Sequence, residues 1–467
     1  MTTFMATFGG LPEELIQETL LHLSSIRSSE PQSTAFRDKK KEKARQCENR
    51  LRQRTLHTLC LTSHHLRRIA TPILYASFTG SATWQGIEPM KLFHRTILSP
   101  DYAVGLKIKL AEYVLYVENR LSDYLGNSLH DGTELSGASH MVARYFYLLA
   151  DVVRHVPNLQ HLSVVSLETN DVSFWTYVLP ADAGTEAPAA CRIFAGHGCR
   201  KLQTLCAQIH TEGYGVGADA ASFRRICSAM TTVPLLSDFR ASGVMTSGLS
   251  VPFYESFKNL QRLEITECVL DLDLVVDIWS ACDGLRHITC AWAFLDCWDE
   301  SPSDLYPGLL RHAETLESLH LDLGEVRFDY ASSETLKVLG TLRPFRRLEY
   351  VGISETGFRS YVSPFLDTTH LTPPPRIAEL LPEALKSFTL LLTSGSSPTY
   401  GGHMDHSSDM WDLVEDCQSS LPSLRNISIM SGEPLRRSPL ITEAFSKIGV
   451  CLDLDIKDSV ATPAFSL

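Results

Sequence analysis

Residues 11–23 read LPEELIQETLLHL, and Leu11, Leu15, Ile16, Leu20 and Leu23 recur at the spacing that gathers apolar side chains on one side of an α-helix. Pro12 suits a first helical turn, where its missing N–H would have had no partner, and Glu13 and Glu14 favour the positive end of the helix dipole. A second apolar face runs through Leu51, Leu56, Leu59, Leu66 and Ile69, and is expected to end before Pro72 because the residue preceding a proline is pushed away from helical angles. The segment TPILYASF follows at 71–78. These helices can cover one another's apolar stripes, but a module this small has little core of its own and leans on a neighbour.

From residue 155 the pattern changes to Leu-x-x-Leu-x-apolar. Alternate apolar residues then point one way from a short strand while the preceding leucine packs beside them. It occurs in PNLQHLSVV, CRKLQTLCAQI, KNLQRLEIT, DGLRHITCA, ETLESLHLD, RRLEYVGIS, EALKSFTLLL and PSLRNISIM. The leading leucines are Leu159, Leu202, Leu260, Leu285, Leu316, Leu348, Leu385 and Leu424, separated by 43, 58, 25, 31, 32, 37 and 39 residues. The longest gap predicts one more copy, in VPLLSDFRASG around Leu235 and Leu236. Helical segments are predicted between strands at LDLDLVVDIWSAC, SSETLKVLGTLRPF and DMWDLVEDCQSSLP, which makes each unit a strand followed by a helix. Residues 81–154 are a connecting or capping region, with strand-like alternation in VGLKIKLAEYVLYV and a helix at MVARYFYLLADVVRHV.

Two families of pattern are similar to known ones. LPEELIQETLLHL resembles the opening helix of the F-box in its fungal form, LHTLCLTSHHLRRIA its second conserved helix, and TPILYASF its exit segment. The repeating region resembles the degenerate leucine-rich repeats that follow many fungal F-boxes, although the consensus asparagine is mostly missing and the units are long. The implied fold class is α/β: a small helical F-box bundle at 1–80, the connecting region at 81–154, and an irregular leucine-rich-repeat solenoid at 155–467. The resemblance implies that Leu11, Pro12, Leu15, Ile16, Leu59 and Leu61 dock on the Skp-type adaptor of a cullin-based ubiquitin ligase; the alternative, that all six are merely bundle core, is weighed against by the three matches in order. It implies no enzyme and no cofactor, but a receptor that holds an unidentified protein substrate. The alternative is a repeat scaffold that binds a partner without any ligase.

Charge refines this picture. The formal net charge of -12 argues against a general nucleic-acid or anionic-membrane binder, because either surface repels the chain. No run is apolar enough to span a membrane and the start lacks a secretory signal, so the expected location is cytoplasmic or nuclear. Residues 27–54 depart from the acidic whole, with ten Lys or Arg against four Asp or Glu; the family usually has a short loop there. The run at 39–45 is either a solvated face, a nuclear import signal or a contact for an acidic partner.

Catalytic and metal motifs are missing. The twelve cysteines include no pair at zinc-ligand spacing and read as reduced, with Cys60, Cys227, Cys268 and Cys290 packing as small hydrophobes. His403, Asp405 and His406 lie in a Gly/Ser-rich stretch with no rigid element to preset a metal site, and none is expected. His64 and His65 are neighbours that point apart on a helix. Trp279, Trp292 and Trp298 form an aromatic-rich patch that either fills the repeat core or, on an open face, anchors a target.

Overall fold

A computed structural model describes residues 11–28, 39–81, 86–98, 109–120, 135–167, 171–179, 199–210, 223, 226–227, 233–244, 257–297, 300–328, 337–358, 375–392, 407–431 and 438–456. The fold is mixed α/β with a large parallel sheet, and the chain divides by packing into two compact units, Met1–Ser242 and Gly243–Leu467.

The first unit opens with helices α1 (Glu13–Leu21), α2 (Lys39–Thr62) and α3 (His64–Tyr75), and continues with α4 (Ile87–Leu98), α5 (Leu135–His155) and α6 (Asp171–Val178). Its strands β1 (Ser77–Ser81), β2 (Tyr116–Arg120), β3 (His161–Leu167), β4 (Thr204–His210) and β5 (Asp238–Ser242) pair in parallel and in chain order. In register across them run Phe78, Val117, Leu162, Leu205 and Phe239, all buried. Helix α5 packs on α4 and α6, and presents Tyr145, Phe146, Leu149, Val152 and Val153 to the interior.

The second unit contains β6 (Arg262–Cys268), α7 (Leu272–Ser280), β7 (His287–Trp292), β8 (Leu295–Cys297), α8 (Tyr306–Leu310), β9 (Ser318–Asp322), β10 (Val326–Phe328), β11 (Tyr350–Ser354), α9 (Glu355–Phe358), α10 (Ile377–Leu380), β12 (Ser387–Leu391), α11 (Ser407–Ser420), β13 (Asn426–Ser431), α12 (Ser438–Lys447) and β14 (Cys451–Ile456). The parallel order is β6-β7-β9-β11-β12-β13-β14, while β8 and β10 form a separate parallel pair. Leu263, Ile288, Leu319, Val351, Phe388 and Ile427 make the buried row.

The leucine spacing read from sequence has a direct structural counterpart. Each of the eight leading leucines, and Leu236 in the ninth copy, is buried and stands two residues before its strand. The intervening residue offers its carbonyl to two successive N–H groups of the next unit. Gln160 O accepts from Gln203 N at 2.7 Å and Thr204 N at 3.0 Å, and Glu349 O from Lys386 N at 2.8 Å and Ser387 N at 3.0 Å. Such bonds align the strand starts, and each leucine contributes about 2 kcal/mol of apolar burial beside them. Strands β1, β2, β8, β10 and β14 were not among the copies. Val114 stands two residues before β2, and Gly449, at φ +79°, holds the same place before β14.

Four local expectations are corrected. Helix α3 continues through Pro72 to Tyr75, because Ile69, Ala70 and Ile73 are all buried on its one apolar face and outweigh the lost backbone bond. Leu51 is exposed, since it lies about 140° around α2 from the buried Leu56 at 100° per residue. Residues 337–345, read as part of a helix, are irregular: Gly340 has φ +106°, and Leu339 N and Leu342 N bond outward to Gly357 O and Leu380 O. Within VGLKIKLAEYVLYV, the described residues begin at 109; of these, 110–113 form a 3-10 turn and the last two open β2.

Candidate partner-docking surface

Helices α1, α2 and α3 share an apolar cluster of Ile16, Leu20, Leu56, Ile69, Ala70 and Ile73, with Leu23, Leu59, Cys60, Leu66 and Leu74 packed partly buried against it. Ser63 caps α3 by accepting a bond from Leu66 N at 3.1 Å, and Arg68 of α3 pairs with Glu13 of α1. The first turn of α1 is closed by Pro12 O, which accepts from Leu15 N at 3.1 Å and Ile16 N at 3.2 Å. This turn separates the six residues singled out by sequence into two groups. Ile16 faces inward and Leu59 is half-buried beside it, so both serve the cluster. Leu11, Pro12 and Leu15 stand outside it, with Leu11 39% and Leu15 54% exposed, and Leu61 on α2 is 75% exposed. Contiguous apolar groups left in water, unlike scattered single ones, mark contact surfaces.

A strap of residues 24–28 joins this helical cluster to the sheet. Asn49 of α2 clamps Ile26, its Oδ1 accepting from Ile26 N at 2.7 Å and its Nδ2 donating to Ile26 O at 3.0 Å. Arg52 donates to Ser24 O at 2.8 Å, and Ser25 Oγ lies 2.6 Å from Ser77 Oγ of β1. Beyond the strap, Arg45 reaches β2 and bonds Glu118 at 2.8 Å, where Tyr116 and Arg120 also donate to the fully buried carboxylate. Burial pushes the Glu118 carboxyl above its ordinary range even though Arg45 pulls it down, and it pushes the Tyr116 hydroxyl up as well.

Arg27 donates to His161 Nε2 on β3, which requires a neutral imidazole, and burial together with the Arg27 charge holds the His161 pKa down to about 4. The unfolded imidazole takes up a proton near pH 6.5 and the folded one does not, so this residue lowers stability as pH falls from about 6.5 to 4. A His161→Gln variant should therefore lose less stability than the parent between pH 7 and 5 in urea titrations; an unchanged acid sensitivity would exclude His161 as its source.

The aromatic patch is largely interior. Trp279 is fully buried, and Trp292 is buried with its Nε1 donating to Leu270 O at 2.8 Å, so neither indole offers a face to a target. Trp298, His403, Asp405 and His406 lie outside the described residues. Cys227, Cys268 and Cys290 are buried free thiols and Cys60 is partly so; burial raises Cys227 and Cys290 well above the usual thiol range, which keeps them unreactive. Among the described residues no group of three or more His, Cys, Asp or Glu is placed to hold a metal ion, and no helix is long and apolar enough to cross a membrane.

What sequence reasoning missed is the strap and the Arg45–Glu118 contact, since the partners are 73 residues apart and no local pattern links them. The sheet faces of β7, β9 and β11 leave Thr289, His320 and Gly352 in register, and the line of residues preceding the strands pairs Arg286 with Glu317 at 3.7 Å and Lys386 with Glu349 at 2.8 Å. No protein-family model matches the chain, and no curated protein matches it either.

Proposed function

We propose that this chain recruits a protein substrate to a cullin-based ubiquitin ligase, docking on the Skp-type adaptor through its N-terminal helices and holding the target on its strand series. The reading treats 1–80 as an F-box-like module and the later strands as degenerate leucine-rich repeats. The observation that carries it is the leucine-proline turn: Leu11, Pro12 and Leu15 are exposed on a helix whose other face is anchored by Ile16 and Leu20 in a formed core. The buried leucine two residues before each of nine strands supports the repeat reading. A receptor of this kind accelerates transfer by proximity, so it needs no reactive residue and no cofactor. Cytoplasm and nucleus are the compartments in which such a ligase works.

Co-purification with the Skp-type adaptor tests the proposal. The intact chain should form a stable complex, and the L11A/P12A/L15A variant should lose it by ~100-fold or more, since truncated apolar anchors at an interface centre cost ~2 kcal/mol each. Because these side chains lie outside the helical core, the thermal midpoint should hardly move. If the intact chain fails to bind, the ligase reading falls, and a partner-binding repeat scaffold takes its place.

A further inference from the structure

Helix α2 has two unlike faces. At 100° per residue, Arg45, Asn49, Arg52, Leu56 and Leu59 fall within about 80° of one another, and they are the residues that hold the helix to the strap, β2 and the helical cluster. The opposite side carries Lys43, Arg50, Arg54 and Leu61 within about 40°, with Leu51 at its margin. All five are exposed, Leu51 to 60% and Leu61 to 75%. Lys43 and Leu61 bound a stripe about 27 Å long at 1.5 Å per residue. Among the described residues no carboxylate pairs with Lys43, Arg50 or Arg54, whereas the neighbouring Glu48 is already engaged by Arg52 at 2.8 Å.

We propose that this stripe is a docking surface for an acidic, leucine-bearing segment of a partner protein. Three unpaired cations on a helix fixed from behind present their charge with little motion left to lose on binding. The flanking leucines supply apolar contact that a purely solvated charged face does not need. A nucleic acid or an anionic membrane fits less well, because each extends far beyond the stripe and meets the field of a chain whose net charge is -12. A short acidic segment meets only the local positive charge. Leu61 also belongs to the exposed set offered to the ligase adaptor, so the two surfaces are continuous, but the acidic-segment site holds whether or not that adaptor binds.

The test is fluorescence anisotropy on the full chain with a short labelled peptide of Glu, Leu and Ala, compared with the same peptide carrying Gln for Glu, a DNA duplex and phosphatidylserine vesicles. Binding of the acidic peptide should weaken at least ~tenfold in K43E/R50E/R54E, the sum expected of three partly exposed ion pairs, and fall with added salt. L51S/L61S should weaken it as well, and neither variant should shift the thermal midpoint, since all five positions face solvent. The proposal is overturned if charge reversal leaves the affinity unchanged, if the Gln peptide binds equally, or if the duplex or vesicles bind more tightly than the acidic peptide.

Discussion

Trp279→Ala is expected to lower the stability of the second unit by ~4 kcal/mol, within the range for truncating a fully buried indole. The residue closes α7 and is completely covered. Its carbonyl lies 3.0 Å from His312 Nε2, and His312 Nδ1 in turn accepts from Leu285 N at 3.3 Å, which ties the indole's turn to a leading leucine. Gly308 of α8 approaches so closely that a side-chain carbon there would lie 3.2 Å from the indole ring. Neighbours held this way cannot collapse into the void, so the cavity term stays large. Guanidinium unfolding followed by far-UV circular dichroism measures the loss. A loss below ~1 kcal/mol would contradict the packing described, and an unchanged stability with impaired target capture would restore Trp279 as a recognition anchor.

Trp279 also illustrates how far the sequence could be read. WSACDGLRHITCAWAFLDCWDE is rich in aromatics, and one dimension does not say which side of the sheet each ring takes. The strands were legible because Leu-x-x-Leu-x-apolar ties a buried leucine to a strand two residues later, and that offset holds at Leu236 even where the spacing is irregular. Strand β14 escaped because Gly449 occupies the leucine's place, and β2 because Val114 does. Helix boundaries failed where tertiary packing overrode local rules, as at Pro72, or where a positive φ broke a periodic run, as at Gly340. At the candidate docking surface, the leucine-proline turn was visible in the residues themselves. Which of Leu15, Ile16 and Leu59 is exposed was not, because adjacent helical positions differ by only 100° and the neighbouring helix decides which is covered.

Arg45→Ala should cost ~3 kcal/mol at pH 8 and distinctly less at pH 5. The Glu118 carboxylate is buried with Arg45 and Arg120 as its cationic partners, and removing one partner leaves a charge that water does not reach. Burial already raises the Glu118 pKa, and loss of Arg45 takes away the charge that lowers it, so the variant raises it further. A carboxyl whose folded pKa exceeds its unfolded value destabilises the fold progressively as pH rises through that interval, and protonation at low pH relieves it. The penalty therefore grows with pH. Glu118→Gln combined with Arg45→Ala should cost less than the sum of the two single changes, because the double change removes the Glu118 charge and its Arg45 partner together. Amide exchange localises the effect: the strap at 24–28 and the first turns of α2 should open before β3 and β4 do. Equal penalties at both pH values, with exchange unchanged at the strap, would show that Arg45 is not what binds α2 to β2. If the contact behaves as described, the turn bearing Leu11, Pro12 and Leu15 is held through α2 to the first strands of its own unit, and a partner bound at that turn keeps a fixed bearing on the sheet beside it.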